Sequence, residues 1–282
     1  ETDIAVRDGK RYSTRLRHWQ PSPLSLTRVE PWKLINTAPG TLERFERQPL
    51  KRSEPGSGEV EVAVEVTGLN FRDVLNALGE YPGAPPLGGE CAGRVVAIGD
   101  GVENVQLGDA VVALTSGAFA SHVTLPASLT SRLPEGFDMR DGAAFAIPFV
   151  TADYGLRELG NIDKGERILI HSAAGGVGMA AIQIAHAAGA EIYATAGTAE
   201  KRDLVRRLGA KLVMDSRSTL FADQILEATG GLGVDLVLNS LTSELTNASL
   251  RALASRGRFI ELGVRDIRED LPTDVYEKEI VY

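Results

Sequence analysis

The run EVEVAVEV at 59–66 alternates apolar with charged or small positions at period two, which predicts a half-buried strand. Gly- and Pro-rich turns follow and separate short apolar runs at 93–98 and 110–114. That spacing predicts a small, irregular β domain ending near Pro148, folded as a compact antiparallel barrel. From Phe149 the period changes. Apolar runs near 167–171, 191–196, 212–214, 234–239 and 258–262 read as buried strands, and segments near 150–159, 176–188, 199–208, 219–228 and 243–253 carry helical spacing. Strand–helix alternation of this kind implies an α/β, doubly wound parallel sheet covered on both faces. The expected divisions are an arginine-rich linker or edge segment at 1–30, around Trp19 and His18; a β domain at 31–148; a nucleotide-binding domain at 149–270; and a tail at 271–282. A six-stranded sheet needs one strand more than the pattern supplies by Gly263. The charged final segment is therefore expected either to lead into further chain or to pack back onto the β domain.

The chemistry concentrates in RILIHSAAGGVGMAAIQIAHAAG at 167–189, where a strand, a glycine turn and an alanine-rich helix follow one another. The turn reads Ala173-x-Gly175-x-x-Gly178, a dinucleotide fingerprint with alanine in the first position. Ala173, Ala174, Gly175, Gly176, Val177 and Gly178 would bring main-chain N–H groups and a helix N-terminus to a pyrophosphate. A side chain at Gly176 or Gly178 is expected to obstruct the pyrophosphate or the strand–helix packing. The next strand ends Ala194-Thr195-Ala196-Gly197, where Thr195 is a candidate cofactor contact and no acid stands to bind a ribose hydroxyl pair. Lys201 and Arg217 follow, and cations there neutralise a 2′-phosphate; the other reading makes both solvated helix-end charges. The pattern favours NADPH. Glu200, the nearby acid, is expected at a helix start, where the macrodipole favours it.

Net charge is −8 over 282 residues, which gives no general attraction to nucleic acid or anionic membranes. No apolar run reaches the ~18 residues of a membrane span, and the charged N-terminus does not resemble a signal peptide. The single cysteine, Cys91, excludes an intrachain disulfide and a multi-cysteine zinc site and fits a reducing, cytoplasmic location. His171, His122 and His186 read as packed structural residues.

Taken together, LNFRDVLNALGEYPG (69–83), LGGECAGRVVAIGDGV (87–102), GAFASHV (117–123), VTADYGL (150–156), HSAAGGVGMAAIQIA (171–185), GGLGVDLVLNSL (230–241) and GRFIELG (257–263) resemble the zinc-free medium-chain dehydrogenase/reductases, above all the enoyl reductase domains of modular type I polyketide synthases. The resemblance implies a GroES-like barrel domain beside a Rossmann domain, and NADPH-dependent reduction of an α,β-unsaturated thioester. The substrate would be a phosphopantetheine-linked enoyl chain on an acyl carrier protein, with neighbouring synthase domains such as a ketoreductase. It also implies that Asn70, Phe71 and Thr151 lie beside the nicotinamide and that Asn239, Leu241 and Gly263 border the cofactor. By its own residues, Arg72-Asp73 reads equally as a helix-capping ion pair. Zinc-dependent relatives use a Cys and a GHE motif; here the stretches read NFRD and Gly88-Gly89-Glu90, so no metal is expected. Tyr81 matches a tyrosine linked with α-carbon protonation, and is otherwise a turn residue before Pro82. Two departures stand out. Asp153 replaces a common tyrosine, and Val264, followed by Arg265, stands where the family has lysine. The alternatives are a stand-alone quinone oxidoreductase-like enzyme and a cofactor-binding domain with altered or lost catalysis.

Overall fold

The computed structural model describes residues 4–7, 10–13, 30–264, 266–267 and 277–282. Trp19, His18 and Arg265 lie outside the described residues. The chain divides into two compact units, Glu1–Glu30 and Pro31–Tyr282. In the first, β1 (Ile4–Arg7) and β2 (Lys10–Ser13) pair antiparallel.

The second unit opens with an antiparallel pair, β3 (Trp32–Asn36) and β4 (Phe45–Pro49). It continues through β5 (Glu59–Thr67), α1 (Phe71–Ala77), β6 (Glu90–Ile98), β7 (Ala110–Leu114), β8 (His122–Pro126), β9 (Thr130–Arg132) and α2 (Met139–Ala143). The longer strands form an antiparallel sheet in the order β8-β5-β6-β7-β9. The alternation in β5 is less strict than its sequence suggests. Val60 and Val62 are fully buried, but so is Glu61, at 3% exposure. Arg52 lies over that carboxylate, with Nε 2.7 Å from Oε1, which makes the burial of the charge tolerable.

The helix expected near 150–159 begins four positions earlier. Helix α3 (Ala146–Asp153) carries Pro148 in its first turn, where a missing N–H costs nothing, and runs into a π-helical turn, Tyr154–Leu159. There follow β10 (Arg167–Ile170), α4 (Gly176–Ala188), β11 (Glu191–Ala196), α5 (Ala199–Arg207), β12 (Leu212–Asp215), α6 (Phe221–Ala228), β13 (Val234–Asn239), α7 (Glu244–Ala252) and β14 (Leu253–Glu261). All strands are parallel, in the order β12-β11-β10-β13-β14. Successive strand residues enter opposite cores. Ile168, Ile170, Leu236 and Leu238 face α4, while Leu169, Val237 and Phe259 join Phe221, Ile225 and Leu250 on the other side. The described tail residues do not return to the β domain. Val281 bridges Arg258 in parallel, and Phe259 N–H donates to Val281 O at 2.8 Å, so 277–282 extend the sheet along the free edge of β14.

Candidate active site

The strand order reverses between β10 and β13, and the crevice at their C-terminal ends is where open α/β sheets bind ligands. The glycine turn lies in it. Ala173 N–H donates to Thr195 O (3.0 Å), His171 N–H to Leu238 O (3.1 Å), and Ser240 Oγ to Ser172 Oγ (2.8 Å), which ties the turn to both flanking strands. Gly175 and Gly176 are exposed, and no side chain caps α4 at Gly175. The first-turn N–H groups therefore face the crevice without an intrahelical acceptor, an arrangement suited to a pyrophosphate. The glycines differ in what surrounds them. A Cβ on Gly178 would lie 2.6 Å from both Ala173 Cα and Ser172 O, so this residue serves backbone packing. A Cβ on Gly175 would meet only Ser172 O, at 3.1 Å, and one on Gly176 would meet Pro148 Cγ at 3.2 Å.

Around the turn the predicted residues separate into surface and support. Thr195 is fully buried, with its Oγ1 2.8 Å from His171 Nδ1. Ser249 Oγ lies 2.8 Å from the other ring nitrogen, and Phe221 packs edge-on at 5.0 Å. Burial pushes the His171 pKa down to about 3, so the ring is neutral and holds the turn from beneath. Beyond β11, Arg217 approaches the open end: a Cβ on Gly197 would lie 3.6 Å from Arg217 Nε and Nη2 and 3.5 Å from Ser216 Oγ. Arg202 Nη1 donates to Ala196 O at 3.2 Å. Lys201 is exposed on the first turn of α5, where its N–H donates to the N-cap Thr198 Oγ1, and Glu200 sits beside it at the helix start.

The other half of the site joins the domains. Asn70 caps α1. Its N–H donates to Asp73 Oδ2 (3.0 Å), and Gly88 N–H donates to Asp73 Oδ1 (2.8 Å). Asp73 therefore serves main-chain donors rather than Arg72, and the expected capping ion pair resolves into a cap without its cation. Asn70 Nδ2 donates to Glu90 Oε1 (2.8 Å), and Ile147 N–H donates to Glu90 Oε2 (2.6 Å). Burial raises the Glu90 carboxyl above its ordinary range, against these hydrogen bonds, which lower it. Phe71 is 73% exposed on the same rim, and Thr151 is half-buried on α3. Cys91, next to Glu90, is buried, and burial pushes its thiol up to about 12, which leaves it protonated and a poor metal ligand. Among the described residues no group of three or more His, Cys, Asp or Glu is placed to hold a metal ion.

The loops after β13 and β14 close the far side. Asn239 Nδ2 donates to Glu261 Oε2 (2.6 Å) and to Leu241 O (2.9 Å), and Gly263 N–H donates to Glu261 Oε1 (2.6 Å). One buried amide and one carboxylate thus fix Leu241 and Gly263 relative to each other. Val264 follows, 40% exposed. Tyr81 is half-buried in the loop after α1, where Ala84 N–H donates to its carbonyl at 3.5 Å and Asn76 Nδ2 binds Pro85 O. Asp153 pairs with Arg157 one turn along (3.1 Å).

Residues 56–135 match the family model described as alcohol dehydrogenase GroES-like domain, and 176–280 match the one described as zinc-binding dehydrogenase. The solved CurK enoyl reductase superposes with a TM-score of 0.84 at 40% identity, covering 90% of this chain and 80% of that one. The chain belongs to the polyketide synthase enoyl reductases of the medium-chain dehydrogenase/reductase superfamily. It is 45% identical over 284 residues to the mycocerosic acid synthase-like polyketide synthase of Mycolicibacterium smegmatis. That match covers 96% of this chain but 13% of the synthase, so the chain corresponds to one part of a multidomain protein. Escherichia coli quinone oxidoreductase, solved in complex with NADPH, shares the fold at a TM-score of 0.81 and 29% identity, covering 89% of this chain and 79% of that one.

Several residues of the site hold partners that sequence patterns do not reveal. Glu90, Asp73 and Glu261 are the carboxylates that set the site's loops. Each sits within a quoted motif, yet its partners lie up to 57 positions away, as with Ile147 and Glu90. An acid set among the small and apolar residues of Gly-Gly-Glu-Cys-Ala was the available signal.

Proposed function

We propose that this chain is an NADPH-dependent enoyl reductase that saturates the α,β-double bond of an enoyl thioester carried on the phosphopantetheine of an acyl carrier protein. The observation that carries this reading is the 40% identity to CurK enoyl reductase spread over both domains. When bound, NADPH supplies the hydride that adds to the β-carbon. The residues present fit it. The open amides at Gly176 and Val177 would receive the pyrophosphate, with Ala173, Ala174 and Gly178 shaping the turn. Lys201 and Arg217 would take the 2′-phosphate, since β11 ends without an acid. Asn70, Phe71 and Thr151 would line the nicotinamide, and Asn239, Leu241 and Gly263 the opposite wall. Val264 ends in a hydrocarbon and has no proton to give, so the phenol of Tyr81 is assigned as the acid for the α-carbon. The setting is a cytoplasmic synthase whose neighbouring domains, a ketoreductase among them, prepare the substrate. No helix among the described residues is long and apolar enough to cross a membrane.

Turnover of a crotonyl thioester by the purified chain with NADPH, compared with quinone reduction, tests the reading. Saturated thioester as product is the expected result. Quinone reduction without thioester reduction would reassign the chain to the quinone oxidoreductase-like class, and NADPH binding with neither reaction to a catalytically altered domain.

A further inference from the structure

Arg72 Nη2 is buried and has no protein hydrogen-bond partner, and it is the one such side-chain nitrogen or oxygen among the described residues. Other guanidinium groups in this protein meet carboxylates: Arg167 at Asp235 (2.9 Å), Arg52 at Glu61 and Arg258 at Glu166. Its sequence neighbour Asp73 and the acid that follows Gly89, Glu90, are engaged elsewhere, Asp73 with the Asn70 and Gly88 amides and Glu90 with Asn70 and Ile147. A buried cationic donor without an acceptor is costly unless an acceptor arrives.

The surroundings hold this cation in place. A Cβ on Gly89 would lie 2.8 Å from Arg72 Nη2 and 2.6 Å from Ile147 Cδ1, so a side chain there would displace the guanidinium from its place before β6. Ile147 and Pro148 are consecutive in the first turn of α3. Ile147 shares the Gly89 contact with Arg72, and the Pro148 ring stands 3.2 Å from where a Gly176 Cβ would be. One turn of helix therefore connects the guanidinium to the pyrophosphate turn, and the nicotinamide half of a dinucleotide extends across such a span.

We propose that Arg72 is a catalytic residue of this site, donating to the thioester carbonyl oxygen as negative charge develops there. This rests on the enoyl reductase reading. Hydride addition at the β-carbon breaks the carbon–carbon π bond, and the displaced electron pair forms an enolate whose charge lies on the thioester oxygen. The Arg72 N–H groups stabilise that oxyanion. A proton from a separate acid then bonds to the α-carbon and the carbonyl reforms. Arg72 donates hydrogen bonds in this step and is not the source of the α-proton.

The test combines single-turnover hydride transfer to a crotonyl thioester with direct titration of an acetoacetyl thioester, whose enolate mimics the oxyanion and is read by its near-ultraviolet absorbance without cofactor. Arg72→Ala is expected to slow hydride transfer about 100-fold and lower the bound enolate fraction about tenfold, with NADPH affinity within about twofold. Added guanidinium is expected to restore both. Gly89→Ala, which keeps every functional group but displaces the guanidinium, is expected to slow transfer about tenfold and serves if Arg72→Ala does not fold. An unchanged enolate fraction and rate in either folded variant overturns the assignment, as does a loss that tracks NADPH affinity and is not rescued. Failure of the wild type to reduce the thioester would instead remove the enoyl reductase reading itself.

Discussion

Gly175 and Gly178 lie three residues apart in one turn, and the structure predicts opposite consequences for adding a methyl group to each. In Gly178→Ala the new Cβ would stand 2.6 Å from Ala173 Cα and 2.6 Å from Ser172 O. Both are backbone atoms, so no rotamer relieves the contact, and α4 must shift outward by about 1 Å to reach ordinary van der Waals separation. Overpacking of this kind costs about 1–3 kcal/mol, of which the better helix propensity of alanine recovers less than about 1 kcal/mol. A net loss of about 1–2 kcal/mol corresponds to a fall in Tm of about 2–8 °C for a domain of this size. In Gly175→Ala the backbone (φ −84°, ψ 171°) already suits an L-residue, and the residue is exposed. The fold should hold within about 0.5 kcal/mol, while the methyl group stands where the pyrophosphate must approach. Thermal melts with and without NADPH, and calorimetric titration of NADPH, read both quantities. Gly178→Ala should lower the apo Tm, and Gly175→Ala should leave it and abolish the NADPH-induced rise. If Gly178→Ala melts with the wild type, the close turn–helix packing is wrong. If Gly175→Ala binds NADPH normally, the pyrophosphate does not use this turn.

The phosphate assignment predicts that Arg217→Ala weakens NADPH by about 1.5–3 kcal/mol and leaves NADH unchanged, with a smaller effect from Lys201→Ala; equal losses for both cofactors in competitive titrations would remove the 2′-phosphate role. Tyr81→Phe should slow α-protonation or scramble the configuration of an α-methyl product in deuterated water, with NADPH binding near normal, and unchanged rate and configuration would leave Tyr81 a turn residue. His171 is held neutral by burial, with its pKa down at about 3. The unfolded chain takes up a proton at this residue below about pH 6.5 and the folded chain does not, so stability is full above that pH and falls as pH drops, by up to about 1.4 kcal/mol per pH unit. Urea unfolding at pH 7 and pH 5 should show this loss in the wild type and a smaller one in His171→Asn, and parallel losses in the two would refute it.

The sequence by itself determined what depends on neighbours a few residues apart. Apolar runs and helical spacing placed most strands and helices of the nucleotide domain within a few positions, because burial on one face repeats at short range, although β14 starts at Leu253, five positions before the expected 258. The glycine turn was legible for the same reason, since strand, turn and helix are consecutive. The absence of an acid after β11 needed only counting along the chain. The tertiary structure decided everything that joins distant segments. It set the reversal of strand order between β10 and β13, the edge that receives Val281, and the pairing of Arg167 with Asp235, 68 positions apart. It turned Thr195 inward to His171, although a strand-end threonine beside a phosphate site reads equally well as facing out. It buried Glu61 under Arg52 against the alternation of β5. It also separated Arg72 from its sequence neighbour Asp73, because that carboxylate gained two main-chain donors at fixed positions while the guanidinium fell into the space left by Gly89. A side chain's charge and length are written in the sequence. Which donors and acceptors reach it first is set by the packing of elements that meet only in three dimensions.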